Sequence, residues 1–184
     1  MVTICRATKQ GIRALSKKLL SLLEDKTSQV YRDNVTKFNN PVEYVKQAFS
    51  EVTLLEAAAS GKSAFYLALN DRHEILGFAQ TVQREDGTVE LDRIVVFPKY
   101  TRKGIGTMIL NRVIEDAKLK KVNAMVVNAG KEEAHARRFY EKNGFTAIKE
   151  ETVEPPWGGR ITLVTYRLQL EHEQNSKAAR NTHE

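Results

Sequence analysis

The stretch Arg93-Ile-Val-Val-Phe-Pro-Lys-Tyr-Thr-Arg-Lys-Gly-Ile-Gly-Thr107 decides the fold of this chain. It begins with apolar, β-branched residues, and Pro98 ends this predicted strand because proline has no N–H group for the ladder. A basic loop with Gly104 and Gly106 follows, and apolar residues then recur at helical spacing. A strand, a glycine loop and a helix N-terminus form an arrangement that binds phosphate, because free backbone N–H groups and the positive end of the helix dipole face the anion.

Two common phosphate-binding motifs do not fit this loop. A Walker loop requires Lys-Ser/Thr after its last glycine, whereas Gly106 is followed by Thr107 and Met108. A Rossmann fingerprint requires a third glycine where this chain has Ile109. An ordinary strand–helix connection with a glycine turn is the alternative interpretation of the loop alone.

A second motif, Ala136-Arg-Arg-Phe-Tyr-Glu-Lys-Asn-Gly-Phe145, follows after one further predicted strand. Its Ala136, Phe139 and Tyr140 share one helical face, and Gly144 suits a left-handed helix stop before the next strand. In this order the two motifs resemble those of the Gcn5-related N-acetyltransferases, the GNAT family.

The resemblance implies that acetyl-CoA is the co-substrate. In the family, the glycine loop holds the pyrophosphate and the preceding strand contacts the pantetheine arm through its backbone. Two positions depart from the family pattern: Thr101 replaces Arg or Gln, and Glu133 replaces Asn. The first departure is tolerable because backbone amides do most of the binding. Carried over to this chain, the cofactor-binding residues are Ile94, Val95, Val96, Thr101, Arg102, Lys103, Gly104, Ile105, Gly106 and Thr107.

The predicted elements form an α/β fold with a mixed sheet. A three-strand meander precedes the glycine loop, and helix, strand, helix and a strand pair follow it, at 64–70, 75–84, 88–97, 105–120, 123–128, 131–142, 145–152 and 161–170. A strand at 2–7 and three helices are expected before the meander, with a polar break from 25 to 40. The resemblance implies a mostly antiparallel sheet that is splayed at the acetyl-CoA site. We expect one acetyltransferase domain over 1–170 and a polar, disordered tail over 171–184.

Composition and charge narrow the classes of partner. The net charge of +6 suits an anionic partner such as CoA, and the basic residues are spread along the chain without a nucleic-acid motif. No apolar run reaches transmembrane length and no signal peptide is visible, so a membrane partner is not expected. The single cysteine, Cys5, permits no disulfide within the chain, which favours a reducing compartment such as the cytoplasm. The histidines lack metal-ligand spacing, and no metal site is expected.

Two residues are candidates for the acyl-transfer chemistry. Tyr140 matches the family's tyrosine near the CoA sulfur, where a hydroxyl would stabilise the leaving thiolate. The alternative for Tyr140 is an aromatic residue that only packs in the core. Counting back from the glycine loop, Glu90 falls where the histone-acetylating branch of the family has its catalytic glutamate, and it is the candidate base. By the two-residue period of a strand it is expected to share a face with Asp92, and the alternative is a solvated strand residue.

Acceptor specificity is expected where the chain is least like the family. Tyr31 and Phe38 in the polar break, and Trp157 in a Pro/Gly loop, are the candidate substrate-binding residues. The expected acceptor is a primary amine, either of a small molecule such as a polyamine or of a peptide. A catalytically idle acyl-CoA-binding module is the alternative function, and a nucleic-acid binder is a third. The oligomeric state is left open, with a homodimer among the options.

Overall fold

A computed structural model describes residues 1–171, and the tail predicted for 171–184 lies outside the described residues apart from its first position. The seven strands are β1 (Val2–Arg6), β2 (Ser63–Asn70), β3 (Ile75–Gln83), β4 (Val89–Val96), β5 (Ala124–Gly130), β6 (Thr146–Val153) and β7 (Ile161–Gln169). The α-helices are α1 (Lys9–Glu24), α2 (Gln29–Tyr31), α3 (Val42–Phe49), α4 (Glu51–Ala59), α5 (Ile105–Leu119) and α6 (Ala134–Lys142). A π-helical turn over Arg32–Thr36 continues α2, and a 3₁₀ turn over Pro98–Tyr100 follows β4.

The strands form one sheet in the order β1-β2-β3-β4-β5-β7-β6. Every neighbouring pair is antiparallel except β4 and β5, which run parallel at the centre. The predicted α/β fold, with a mostly antiparallel mixed sheet, is therefore confirmed. The meander β2-β3-β4 follows from the short connections around Asp71 and Gly87, whereas the parallel step requires the crossover through α5.

The two central strands separate soon after they meet. Their ladder holds only two residue pairs, Val89 with Met125 and Glu90 with Val126. Beyond Glu90, β4 continues to pair with β3 while β5 pairs with β7. The sheet is thus split from the third residue of β4, Leu91, to the carboxyl end of that strand, as the family resemblance implied.

Apolar side chains cover both faces of the sheet. On one face, Leu91 and Val96 of β4 pack in a core with Ile109 and Val113 of α5. On the other face, α1, α3 and α4 pack over the first four strands, and Phe97 belongs to this second core. Because alternate strand residues point to opposite faces, β4 connects the two cores and carries side chains to both sides of the split.

Two predicted segments differ in detail from the structure. The polar break at 25–40 contains helical turns, because its polar side chains bond to nearby backbone groups: Ser28 Oγ accepts from the Tyr31 N–H, and Asn34 Nδ2 donates to the Val30 carbonyl. Helix α6 begins later than the predicted residue 131, since the N–H of Lys131 still bonds to the Thr162 carbonyl beside the sheet. Within residues 1–171 the structure contains no helix with the length and apolar character needed to cross a membrane.

Candidate active site

The split between β4 and β5 leaves one edge of β4 without a strand partner. Ile94, Val95 and Val96 pair with β3 on one side only, and the other side of the strand faces the split. Backbone N–H and C=O groups require hydrogen-bond partners, so this edge can receive an extended ligand that carries amide groups. The three residues expected to contact the pantetheine arm through their backbone lie along this edge.

The N-terminus of α5 lies at the carboxyl end of β4 and has no side-chain cap. Helices α1 and α4 begin with Thr8 and Ser50, whose hydroxyls accept a backbone N–H of the first turn. Helix α5 instead begins with Gly104 in the left-handed conformation at a φ of 74°. The amides of Ile105, Gly106 and Thr107 are thereby left for a ligand, and the exposed cations Arg102 and Lys103 precede them. Uncapped amides, the helix dipole and two cations fit a pyrophosphate group.

The two glycines of the loop have different surroundings. Position 104 favours glycine because of its positive φ. Steric crowding is not the reason, since a Cβ at this position would meet no atom within 4 Å. A Cβ on Gly106 would lie 3.5 Å from the Phe139 ring and 3.6 Å from Val96 Cγ2. These are ordinary van der Waals distances, so packing alone does not require glycine at 106, and its expected role in clearing space for an anion stays a prediction.

Tyr140 lies on α6 within the core beside α5. It is 7% exposed, and its ring packs against the rings of Phe139, Phe145 and Tyr166 at centroid distances of 5.5, 5.7 and 6.0 Å. Burial raises the pKa of the Tyr140 phenol well above its ordinary value, and the negative charge of Glu133 raises it further. The phenol is therefore a protonated hydrogen-bond donor at neutral pH.

Glu133 connects three parts of the molecule just before α6. Its Oε2 accepts a hydrogen bond of 2.6 Å from the Gly130 N–H at the end of β5. Its Oε1 lies 2.6 Å from Lys37 Nζ, which belongs to the segment between the π turn and α3. The segment that carries Phe38, called the acceptor segment below, is thus anchored beside the helix that carries Tyr140. Glu133 stands where the family motif has Asn, so the sequence marks this position, but no local pattern indicates Lys37 as its partner.

Glu90 lies at the closed end of the split, where β4 still pairs with β5. Its Oε2 lies 3.2 Å from Arg84 Nη1, and its Oε1 accepts a bond of 3.2 Å from Asn128 Nδ2 on β5. The oxygen of Asn128 in turn accepts a bond of 2.7 Å from the Thr165 hydroxyl. Sequence reasoning missed both partners of Glu90 and also Thr165, the partner of Asn128. Asn128 and Thr165 come near this part of β4 only through the strand order.

Asp92 lies two residues after Glu90 but in a bulge of β4, and the expectation that the two side chains share a strand face stays a prediction. Gln80 of β3 pairs with Arg93 and Thr81 pairs with Leu91, which leaves Asp92 in the bulge. The Asp92 carboxylate lies 3.3 Å from the Nε of Arg93. A bulge depends on cross-strand register, which the β4 sequence alone does not encode.

The three acceptor candidates occupy separate places. Tyr31 is half-buried and packs on the core beneath α1, which assigns it a structural contact. Phe38 is half-buried and lies under the Lys37 ammonium, 5.7 Å from its ring centroid. Trp157 packs against Tyr44 of α3 at a centroid distance of 4.7 Å. The β6–β7 loop therefore contacts helix α3, a proximity that neither local sequence predicts.

A sheet split beside β4 and an uncapped helix N-terminus at its end together form a place for an extended ligand with an anionic group. A family model described as "Acetyltransferase (GNAT) family" matches residues 27–145, and the chain belongs to that family.

Three individual proteins illustrate the similarity. N-acetylaspartate synthetase of Rattus norvegicus is 34% identical over 83 residues, which is 45% of this chain and 28% of the relative. Spore coat polysaccharide biosynthesis protein SpsD of Bacillus subtilis (strain 168) is 27% identical over 101 residues, 55% of this chain and 35% of the relative. The chain thus spans well under half the length of either. PaiA N-acetyltransferase of Thermoplasma acidophilum, solved with coenzyme A, has a TM-score of 0.68 at 16% identity, covering 90% of this chain and 98% of that one. This last likeness shows the fold.

Proposed function

We propose that the protein is an acetyl-CoA-dependent N-acetyltransferase that acts on a primary amine. The observation that carries the proposal is the split beside β4, which ends at the uncapped N-terminus of α5. An acyl-CoA has an anionic pyrophosphate and an arm that contains amide groups. The pyrophosphate matches the free N–H groups at the start of α5, and the arm matches the unpaired backbone edge of β4. The amides of Ile105, Gly106 and Thr107 hold the pyrophosphate, and the free edge at Ile94, Val95 and Val96 holds the arm.

The reaction joins the amine nitrogen to the thioester carbonyl carbon and breaks the carbon–sulfur bond. Tyr140 donates a hydrogen bond to the departing thiolate. Full proton transfer from an ordinary phenol to a thiolate is uphill by roughly 2 kcal/mol, and the raised pKa of Tyr140 makes it more so. The hydroxyl therefore acts as a stabilising donor, and solvent protonates the released thiolate to the thiol.

Glu90 takes the proton that the amine loses, directly or through a water molecule. An amine with a pKa of about 10 is about one part in a thousand neutral at pH 7, so a base near the split assists the reaction. Arg84 and Asn128 act as positioning residues, because each holds one oxygen of the Glu90 carboxylate. Phe38 and Trp157 are proposed to line the approach of the acceptor from the side of α3.

The acceptor remains a primary amine of unassigned structure within this proposal. One relative is named for a product, N-acetylaspartate, in which the acetylated amine belongs to an amino acid. Amino acids therefore join polyamines and peptide amines in the test set. A catalytically idle acyl-CoA-binding module is the second candidate, and it is favoured by acetyl-CoA binding without thiol release. The cytoplasm is the proposed location, based on the lone Cys5.

The test combines calorimetry with a thiol-release assay. Acetyl-CoA should bind the wild-type chain, and thiol release should require an added amine. Glu90→Gln should keep acetyl-CoA affinity and lower kcat about 10²–10⁴-fold, the range for loss of a general base. Glu85→Gln is the matched control, because Glu85 is an exposed glutamate in the β3–β4 turn that precedes Glu90 in the chain. Equal kcat values for Glu90→Gln and Glu85→Gln would remove Glu90 from the mechanism.

A further inference from the structure

The carboxylates around the split are each paired with a cation of this chain. Besides the bonds of Glu90 to Arg84 and of Glu133 to Lys37, Asp92 is paired with Arg93. A second ammonium group on an acceptor would find no unpaired carboxylate in this set. The electrostatic surroundings therefore disfavour a diamine or polyamine as the acceptor.

Arg93 has hydrogen-bonding capacity that its own chain does not use. It lies on the face of β4 opposite α5, with its guanidinium carbon 5.3 Å from the Phe49 ring centroid and its Nε on Asp92. Its Nη1 is buried and has no acceptor among residues 1–171. The side chain as a whole is 28% exposed, so part of it is open to solvent although Nη1 is not.

Gln80 faces Arg93 directly across the β3–β4 ladder. The residue is 6% exposed, and its Oε1 lacks a hydrogen-bond donor in the described part of the chain. An unsatisfied buried polar group is unfavourable by about 1–3 kcal/mol, and here a donor and an acceptor are both left over on neighbouring strands. Gln80 Oε1 is closed to solvent, so the group that a ligand can satisfy is the guanidinium of Arg93, which requires an oxygen acceptor.

We propose that the acceptor is an amine that also carries a carboxylate, as an amino acid does, and that Arg93 binds this carboxylate. This inference depends on the transferase function proposed above. The carboxylate forms a charge-assisted hydrogen bond with the guanidinium, and the amine points toward the split, where the thioester and Glu90 lie. Only the amine is acetylated, and the carboxylate leaves the reaction unchanged.

Three sets of acceptors test the proposal with the wild-type protein. The first contains glycine, aspartate and glutamate, the second their carboxyl-blocked amides, and the third putrescine and spermidine. The kcat/KM for the best member of the first set should exceed that of its amide and of both polyamines by about 10- to 100-fold, as expected for loss of one charged hydrogen bond. Blocking the carboxyl lowers the basicity of the amine and leaves more of it neutral, so amine reactivity alone would give the opposite order.

Variants of Arg93 provide the second arm. Arg93→Met keeps an apolar stem on Phe49 and should reduce the preference for the carboxylate over its amide to near unity, with acetyl-CoA affinity unchanged. Arg93→Lys retains the charge and should keep part of the preference, which covers the case in which Arg93→Met fails to fold. Arg13→Met is the control, because Arg13 is a surface arginine that is also paired with a carboxylate, that of Glu51.

The outcomes separate the two proposals. Equal or better turnover of amides or polyamines by the wild type would overturn the carboxylate proposal and leave the transferase function intact. An unchanged preference in folded Arg93→Met would overturn the role of Arg93. Acetyl-CoA binding with no thiol release in any set would overturn the transferase function and this inference with it.

Discussion

The ion pair between Lys37 and Glu133 provides the sharpest test of how the acceptor segment is anchored. Their charged atoms lie 2.6 Å apart, with side chains 36% and 22% exposed. Exposed ion pairs contribute about 0.2–1 kcal/mol, and partial burial puts this pair near the upper end of that range. Glu133 also accepts the Gly130 N–H, and a hydrogen bond to a charged group is worth about 1.5–3 kcal/mol.

These two contacts predict different costs for different substitutions. Glu133→Ala loses both contacts and should lower the free energy of unfolding by about 2–4 kcal/mol. Glu133→Gln keeps an oxygen for the Gly130 N–H and should lower it by about 1 kcal/mol. Lys37→Met keeps the methylene stem beside Phe38 and should also lower it by about 1 kcal/mol.

Urea unfolding of four proteins completes a double-mutant cycle. The wild type, Lys37→Met, Glu133→Gln and the double variant should give a coupling free energy of about 1 kcal/mol. The coupling free energy should be smaller in 1 M salt, because the Debye screening length falls to about 3 Å. Because the pair anchors the proposed acceptor segment, both single variants should raise the KM for the acceptor more than the Kd for acetyl-CoA. A coupling within about 0.3 kcal/mol of zero would refute the view that this pair holds the segment in place.

Three further predictions address the cofactor side and the core. Tyr140→Phe should keep acetyl-CoA affinity and change the free energy of unfolding by less than about 1 kcal/mol, while stopped-flow thiol release slows by up to about 10²–10⁴-fold; an unchanged kcat would assign Tyr140 to packing alone. Gly104→Ala should lower the Tm by about 2–4 °C, because the left-handed conformation costs a residue with a Cβ about 1 kcal/mol, and calorimetry should show weaker acetyl-CoA binding. Burial raises the pKa of Tyr66 to about 12, and the Asp116 charge contributes to this increase. At pH values between the ordinary pKa near 10 and this raised pKa, unfolding therefore releases the Tyr66 proton. The stabilisation is present below pH 10 and is lost as the pH rises toward 12, so the alkaline fall in Tm should be shallower in Tyr66→Phe; parallel curves would contradict this.

Much of the fold and of the cofactor side of the site could be predicted from the sequence. The β-branched run before Pro98, the glycine pair and the helical apolar period are local signals, and each acts within a few residues. The positive φ of Gly144 follows from the same local rules, since this glycine adjoins the C-terminal end of α6. Elements of this kind form wherever the local sequence allows them, which explains why β4, α5 and α6 were predicted close to their observed bounds.

The acceptor side was decided by the tertiary structure. The bulge at Asp92 arises from cross-strand register, and the bond between Glu90 and Asn128 joins residues 38 positions apart. The contact between Lys37 and Glu133 spans 96 positions. No local period connects such positions, because their proximity results from how the strands are ordered and how the helices pack on them. The sequence by itself determined the strand, the loop and the helix for the cofactor, and only the packed chain decided which charges surround the acceptor.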